Sequence, residues 1–134
     1  MYAIFDSNRR EFTYVSAGHT PIVHLRRGAE PAFHSSTGQP IALVPADLGR
    51  CEYQEATVKL EPGDRLYLMS DGIPEAHQKG REEYGEERAA RTLQRCFDLE
   101  LVASITCLLD DVWDWTGGTG PNDDVSILAL EVEG

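Results

Sequence analysis

Residues 66–76 read LYLMSDGIPEA. Leu66, Tyr67, Leu68 and Met69 follow one another without a polar break. The stretch therefore reads as a strand covered on both faces, central in its sheet. It runs through Ser70 into Asp71, Gly72 and a turn. A carboxylate at the end of a buried strand is costly unless something positive meets it.

The flanks fix how this strand is reached. In EPGD (61–64), Pro62 and Gly63 suit the two central positions of a type II turn, because proline presets φ and glycine accepts φ > 0. That turn returns the chain from YQEATVKL (53–60). There Gln54, Ala56, Val58 and Leu60 share one side, and Tyr53, Glu55, Thr57 and Lys59 the other, as in a strand with one covered face. Further upstream, MYAIFD (1–6) and EFTYVSA (11–17) flank SNRR (7–10), a polar connection that suits a hairpin. Phe12 and Tyr14 fall on one face, Thr13 and Val15 on the other. GHTP (18–21) turns the chain into IVHLRRG (22–28). Residues 28–52, with Pro31, Gly38, Pro40, Pro45 and Gly49, read as a long loop with a short strand at IALV (41–44). Loops of this length are often functional; a plain surface excursion is an equal reading.

Downstream the period changes. GEERAARTLQRCF (85–97) carries Glu86 and Glu87 early and arginines late, matching a helix dipole. DLELVASITCLLDDVWDW (98–115) offers Asp98 as N-cap. Leu101, Ile105, Leu108 or Leu109, and Val112 recur at helical spacing. Trp113 and Trp115 read as core and helix-end residues. TGGTGPNDD (116–124) breaks the helix and leads to a last strand, VSILALEVE (125–133). Strands, two helices and one more strand make an α+β pattern dominated by antiparallel pairing.

Composition narrows the function classes. The 134 residues suit one domain, 1–134, and 41% apolar content allows a core. No run approaches the ~18 apolar residues of a membrane span. The N-terminus lacks a signal pattern, so a soluble cytoplasmic protein with no membrane partner is expected. Twelve basic against 23 acidic residues leave a net charge of −11. Arg9-Arg10 and Arg26-Arg27 are the basic clusters, too short for a nucleic-acid stripe. A metal cation is a more natural partner for this surplus of carboxylates, most of which read as plain solvated surface. The three cysteines, Cys51, Cys96 and Cys107, form no CxxC pair and fit neither a disulfide scaffold nor a zinc finger. Cys96 and Cys107 read as buried small hydrophobes. His24, His34 and His77 have no partner spacing and carry no assignment.

Two acidic positions stand out by placement. Asp71 ends the buried strand, and Asp123 and Asp124 precede the last one. If the two strands pair antiparallel, the end of one meets the start of the other and the carboxylates converge. Converging carboxylates repel unless protonated or bridged by a cation. All-oxygen ligation favours Mg2+ or Mn2+. SDG and PNDD are also good turn sequences in their own right, and spacing alone leaves both readings open.

The motifs YVSAGHTP (14–21), LEPGDRLYLMSDGIPEA (60–76), YGEER (84–88) and NDDVSILAL (122–130) occur in that order. As a set, spanning nearly the whole chain, they resemble the metal-dependent, type 2C serine/threonine protein phosphatases, and specifically the SpoIIE/RsbU-like bacterial branch. The resemblance implies an antiparallel β-sandwich flanked by helices, an α/β/β/α arrangement, with a binuclear Mn2+ or Mg2+ site at one end. It implies Asp71 and Asp123 as metal ligands, acting in catalysis through the bound metal. Ser70 takes the threonine position before Asp71, followed by Gly72. Glu75 and Asp124 organise the loops, Asn122 begins the second loop, and His19 in AGH is a turn histidine near the site. Two cations would activate a water for in-line attack on a phosphoserine or phosphothreonine. The substrate implied is a phosphorylated STAS-type regulator, such as an anti-sigma-factor antagonist.

One departure matters. The family's upstream motif, an aspartate with a GHG-like turn that bridges both cations, has no counterpart here. Asp6, in FDSNRR, does not match it. The chain is therefore expected to be the C-terminal part of such a domain, incomplete at its N-terminus and catalytic within a longer parent. The alternative is a non-catalytic module for partner binding or dimerisation. Missing strands would leave open sheet edges, so a homodimer through an edge, or marginal stability, is expected.

Overall fold

The computed structural model describes residues 1–42, 52–78, 80 and 82–134. Strand β6 (Arg65–Met69) lies at the heart of the fold, as its apolar run predicts. It pairs antiparallel with β3 (Ile22–Leu25) on one side and β7 (Ile127–Glu131) on the other. With β4 (Ala32–His34) outside β3, these form a sheet in the order β4-β3-β6-β7. A second antiparallel sheet has the order β1-β2-β5, from β1 (Tyr2–Asp6), β2 (Glu11–Val15) and β5 (Ala56–Lys59).

Side-chain alternation divides the core in two. Leu66 of β6, with Ile22, packs against Phe12, Tyr14, Val58 and Leu60, closing the space between the sheets. Tyr67 and Met69 point the other way, onto α1 (Glu86–Arg95) and α2 (Leu101–Trp115), with Ala89, Ala90, Leu93, Leu108 and Val112. Each such large apolar side chain stabilises the fold by roughly 1.5–3 kcal/mol when fully buried. A strand that feeds both clusters must be apolar on both faces, which is why β6 reads as it does.

The local expectations fare unevenly. The β1–β2 hairpin forms, with Phe12 and Tyr14 inward, and Asp6 Oδ1 accepts the backbone N–H groups of Asn8 and Arg9 in its turn. Gly63 takes φ 85°, and Asp64 N–H donates to Glu61 O, as a type II turn requires. β5 begins at Ala56, later than the alternation suggests. Ala32–His34 forms an edge strand inside the stretch expected to be loop. The strand expected over 41–44 is not seen in its described part, where Ile41 and Ala42 sit in a turn; Leu43 and Val44, like Cys51, lie outside the described residues.

Three readings need correction. Asp98 does not cap α2. Glu100 occupies the N-cap without a side-chain bond, and Asp98 pairs with Arg27 instead. Trp113 is not a core residue, being 53% exposed. Cys96 and Cys107 are not independent small hydrophobes: they form a disulfide between the end of α1 and the middle of α2, with Cα atoms 6.7 Å apart. The spacing of 11 residues carries no recognisable motif, because only the antiparallel return of α2 along α1 brings the two together.

The architecture is thus mixed α+β, with two antiparallel sheets and two helices among the described residues. Both helices cover the sheet containing β6. The outer face of the β1-β2-β5 sheet has no helix over it among the described residues, and Tyr2 and Ile4 on its edge strand are 71% and 57% exposed. No described helix is long and apolar enough to cross a membrane.

Candidate functional site

The end of β6 meets the start of β7, since Met69 pairs with Ile127. Two loops, Ser70–Ala76 and Asn122–Ser126, consequently lie side by side. Ser70 stitches them: its backbone N–H donates to Ser126 O at 2.9 Å, its hydroxyl donates to Asp124 O at 3.1 Å, and Ser126 N–H donates to that hydroxyl at 2.9 Å. Gly72 lets them touch. A Cβ at this position would sit 2.5 Å from Asp124 O and 3.1 Å from Asp123 O, both backbone atoms. Farther along, Asn122 Oδ1 accepts His77 N–H at 2.9 Å.

Within this seam Asp71 and Asp123 are both exposed. The Asp71 backbone carbonyl accepts Glu75 N–H at 2.9 Å, curling the turn beneath it. Among the described residues no hydrogen bond or ion pair engages the Asp71 carboxylate. Asp123 Oδ1 accepts Asp124 N–H at 2.7 Å, which fixes its side chain against its own loop. Asp124 contributes through its backbone.

Asp71 opens onto two hollows. A cavity of about 400 Å³ is lined by His19, Thr20, Ser70, Asp71, Glu75 and Glu86. His19 Nδ1 lies 2.9 Å from Thr20 O, which holds the ring in a turn beside the site. A larger cleft of about 750 Å³ shares Thr20, Asp71, Glu75 and Glu86 and extends along α1. The expected residues Asp71, Ser70, Glu75 and His19 thus surround one space. Asn122, Asp123 and Asp124 form the adjoining loop, and they line neither hollow.

Sequence reading missed several residues around this space. Thr20 donates its hydroxyl to Met69 O, tying the AGHT turn to the end of β6. Burial pushes the Glu86 carboxyl above its ordinary range. Tyr84 donates its hydroxyl to Asp111, which also accepts from Thr92 and Arg95, so one carboxylate joins α1, α2 and the segment preceding α1. Burial, then Asp111, raise the Tyr84 pKa far above that of a free phenol. The quoted motif YGEER held Tyr84, Glu86 and Arg88, yet nothing in its spacing says that Asp111, 27 residues on, is the partner.

The unassigned histidines have partners too. His24 Nε2 lies 2.9 Å from Asp64 Oδ2 and its Nδ1 3.2 Å from His34 Nε2. Arg26 binds both oxygens of Asp64, at 2.9 and 2.7 Å. This buried network sits at the start of β6, away from the Asp71 end.

The donor set suits a hard cation, being carboxylate oxygen only. It is incomplete: among the described residues no group of three or more His, Cys, Asp or Glu side chains is arranged to hold a metal. Asp71 and Asp123 offer two carboxylates, fewer than such a site requires.

Comparison with known proteins gives the fold its relatives. The chain superposes on the SiaA-PP2C domain of Pseudomonas aeruginosa with a TM-score of 0.78 and 21% identity, covering 96% of this chain and 49% of that one. It superposes on the phosphatase domain of the cell fate determinant SpoIIE from Bacillus subtilis with a TM-score of 0.73 and 19% identity, covering 98% and 55%. At these identities the likeness is one of fold. Protein IcfG from Synechocystis sp. is 22% identical over 129 residues, which are 96% of this chain and 20% of that protein. The chain therefore spans about half the length of these solved relatives and a fifth of the curated one. The sequence model described as Stage II sporulation protein E (SpoIIE) matches residues 1–133, and the chain belongs to that family, whose fold is that of type 2C protein phosphatase domains.

Proposed function

We propose that the chain is the C-terminal part of a serine/threonine phosphoprotein phosphatase domain and supplies one side of its metal site. The observation that carries this is the seam between the Ser70–Ala76 and Asn122–Ser126 loops, which brings the Asp71 and Asp123 segments together at one sheet end. Asp71 and Asp123 would hold Mn2+ or Mg2+, the remaining ligands coming from outside the described residues. Ser70, Gly72 and Asn122 fix the two loops, Asp124 supports the second through its backbone, and Glu75 and His19 border the space. When bound, such cations supply a water acidic enough to give hydroxide near neutral pH for attack on a phosphoserine or phosphothreonine. The substrate proposed is a phosphorylated STAS-type regulator in the cytoplasm, and the unit 1–134 is proposed to act within a longer parent.

A second reading has its own observation. The described donors are too few for a binuclear site, and Tyr2 and Ile4 are exposed on an edge strand. A non-catalytic module that pairs with a partner or a second copy would use both features.

Phosphate release from a phosphorylated STAS-type protein, with and without Mn2+, separates the two. The full-length parent should turn over only with metal, and Asp71→Asn or Asp123→Asn should each cut that turnover by about 100-fold or more. The 134 residues alone should be slow. Metal-independent turnover, or full activity in Asp71→Asn, would end the phosphatase reading as stated.

A further inference from the structure

The larger cleft carries an arginine that the fold holds in place without neutralising. Arg88 lies on the first turn and a half of α1, and its side chain faces the cleft that Asp71 also lines. Its guanidinium stacks over the Trp115 ring, with Cζ 3.9 Å from the ring centre, and its Nε donates to Tyr84 O at 3.3 Å. Stack and hydrogen bond fix the plane of the fork. Among the described residues, no carboxylate lies within ion-pair distance of Arg88.

Its neighbours in the cleft differ. Arg95 is engaged by Asp111 at 3.0 Å and Arg91 by Glu87 at 3.3 Å. Glu82, Glu83 and Glu86 also border the cleft, so its general field repels anions. In a chain of net charge −11, a cation left without a carboxylate partner is unusual. A planar fork matches carboxylate and phosphoryl oxygens two at a time, and an aromatic platform reduces the entropy lost on binding.

We infer that Arg88 is an anion-recognition residue of the substrate cleft, binding an oxyanion of the phosphoprotein substrate by a two-point contact. The identification of that ligand as a phosphoprotein rests on the phosphatase reading above. The oxyanion is the phosphoryl group itself or a carboxylate beside the phosphorylated residue. Arg88 is a binding residue: it selects which segment enters the cleft and how it is oriented toward Asp71.

The test is fluorescence anisotropy on the full 134-residue chain with three labelled peptides. One carries phosphoserine in neutral flanks, one carries serine in acidic flanks, and one is neutral and unphosphorylated. At least one anionic peptide should bind more tightly than the neutral one, and the arm that does so names the oxyanion. Arg88→Gln should weaken that arm by about tenfold or more, and Arg88→Lys should recover only part of the loss, because an ammonium lacks the fork. Thermal melts of both variants should stay cooperative and fall by no more than about 5 °C, the loss of one exposed stack and one hydrogen bond. Equal binding of all three peptides by the wild type, or unchanged affinity in Arg88→Gln, overturns the inference. The phosphatase reading is judged separately, by Mn2+-dependent phosphate release in the wild-type parent. Arg88-dependent binding without turnover would sink that reading and keep the anion site; turnover with Arg88-independent binding would do the reverse.

Discussion

Replacing Gly72 by alanine tests the seam that the site depends on. The added Cβ would stand 2.5 Å from Asp124 O, against 3.4 Å for ordinary contact, so one loop must retreat by 3.4 − 2.5 = 0.9 Å. The obstacle is backbone and has no rotamer to move aside. A retreat of that size would stretch the 3.1 Å bond from Ser70 Oγ to Asp124 O to about 4.0 Å, beyond a hydrogen bond. Overpacking of this kind costs about 1–3 kcal/mol, and the lost bond about 1 kcal/mol more. For a chain of this length, a total of about 2–4 kcal/mol lowers the melting temperature by about 7–14 °C. Calorimetry in metal-free buffer reads this without any contribution from bound cation. Gly63→Ala is the control. Gly63 has φ 85° and nothing within 4 Å, so it incurs only the left-handed backbone cost of about 1 kcal/mol. A Gly72→Ala protein that melts within about 2 °C of wild type, or no lower than Gly63→Ala, would refute the contact as described.

Two further outcomes follow from the buried groups. Burial alone would raise the Asp64 pKa, but hydrogen bonds from Arg26, the Glu61 N–H and His24 overcome it and hold the carboxyl at about 2, against 3.8. A depressed folded pKa means that this stabilisation, about 2 kcal/mol, is complete above pH ~4 and disappears as the pH falls toward ~2. Asp64→Asn should be less stable at neutral pH and should show a shallower acid limb in urea melts from pH 5 to 2; an unchanged limb would show that Asp64 is not the titrating group. Reducing the Cys96–Cys107 bridge reopens an 11-residue separation and should cost about 2–3 kcal/mol through the unfolded chain. Dithiothreitol and Cys107→Ser should therefore lower the melting temperature together, and a melt insensitive to both would mean that the two thiols are not linked in solution.

What the sequence discloses here is what local rules govern. The Pro62-Gly63 turn, the Phe12/Tyr14 face, the central β6 and the two helices each follow from a period or a turn residue within a few positions. Ala32–His34 was missed because an edge strand of three residues has no period to read and sits in a Pro- and Gly-rich stretch. Asp98 looked like a cap because residue type favours it, but the pairing with Arg27, 71 positions away, takes it elsewhere. The disulfide, the Tyr84–Asp111 bond and the His24–Asp64–Arg26 network are products of tertiary placement, and no spacing announces them. The meeting of the Asp71 and Asp123 segments was legible for a different reason. Strand ends can be located from sequence, and antiparallel pairing then dictates which ends meet.

The two aspartates that bracket β6 show what each is for. Asp64, at the start, has a side chain only 1% exposed and meets Arg26 and His24 on both oxygens. Removing a partner from such a group leaves a buried charge uncompensated, so its role is answered by the fold itself. Asp71, at the other end of the strand, is exposed and engaged by no described side chain. Around it the chain invests in position: Ser70 is bonded to the neighbouring loop at three points, and Gly72 accepts a contact that a side chain would forbid. A turn could be closed with less. A backbone held this firmly while the carboxylate is left available is what supports the proposal that Asp71 takes a ligand from outside the described residues, and the oxygen-only chemistry of Asp71 and Asp123 makes a divalent cation the ligand proposed.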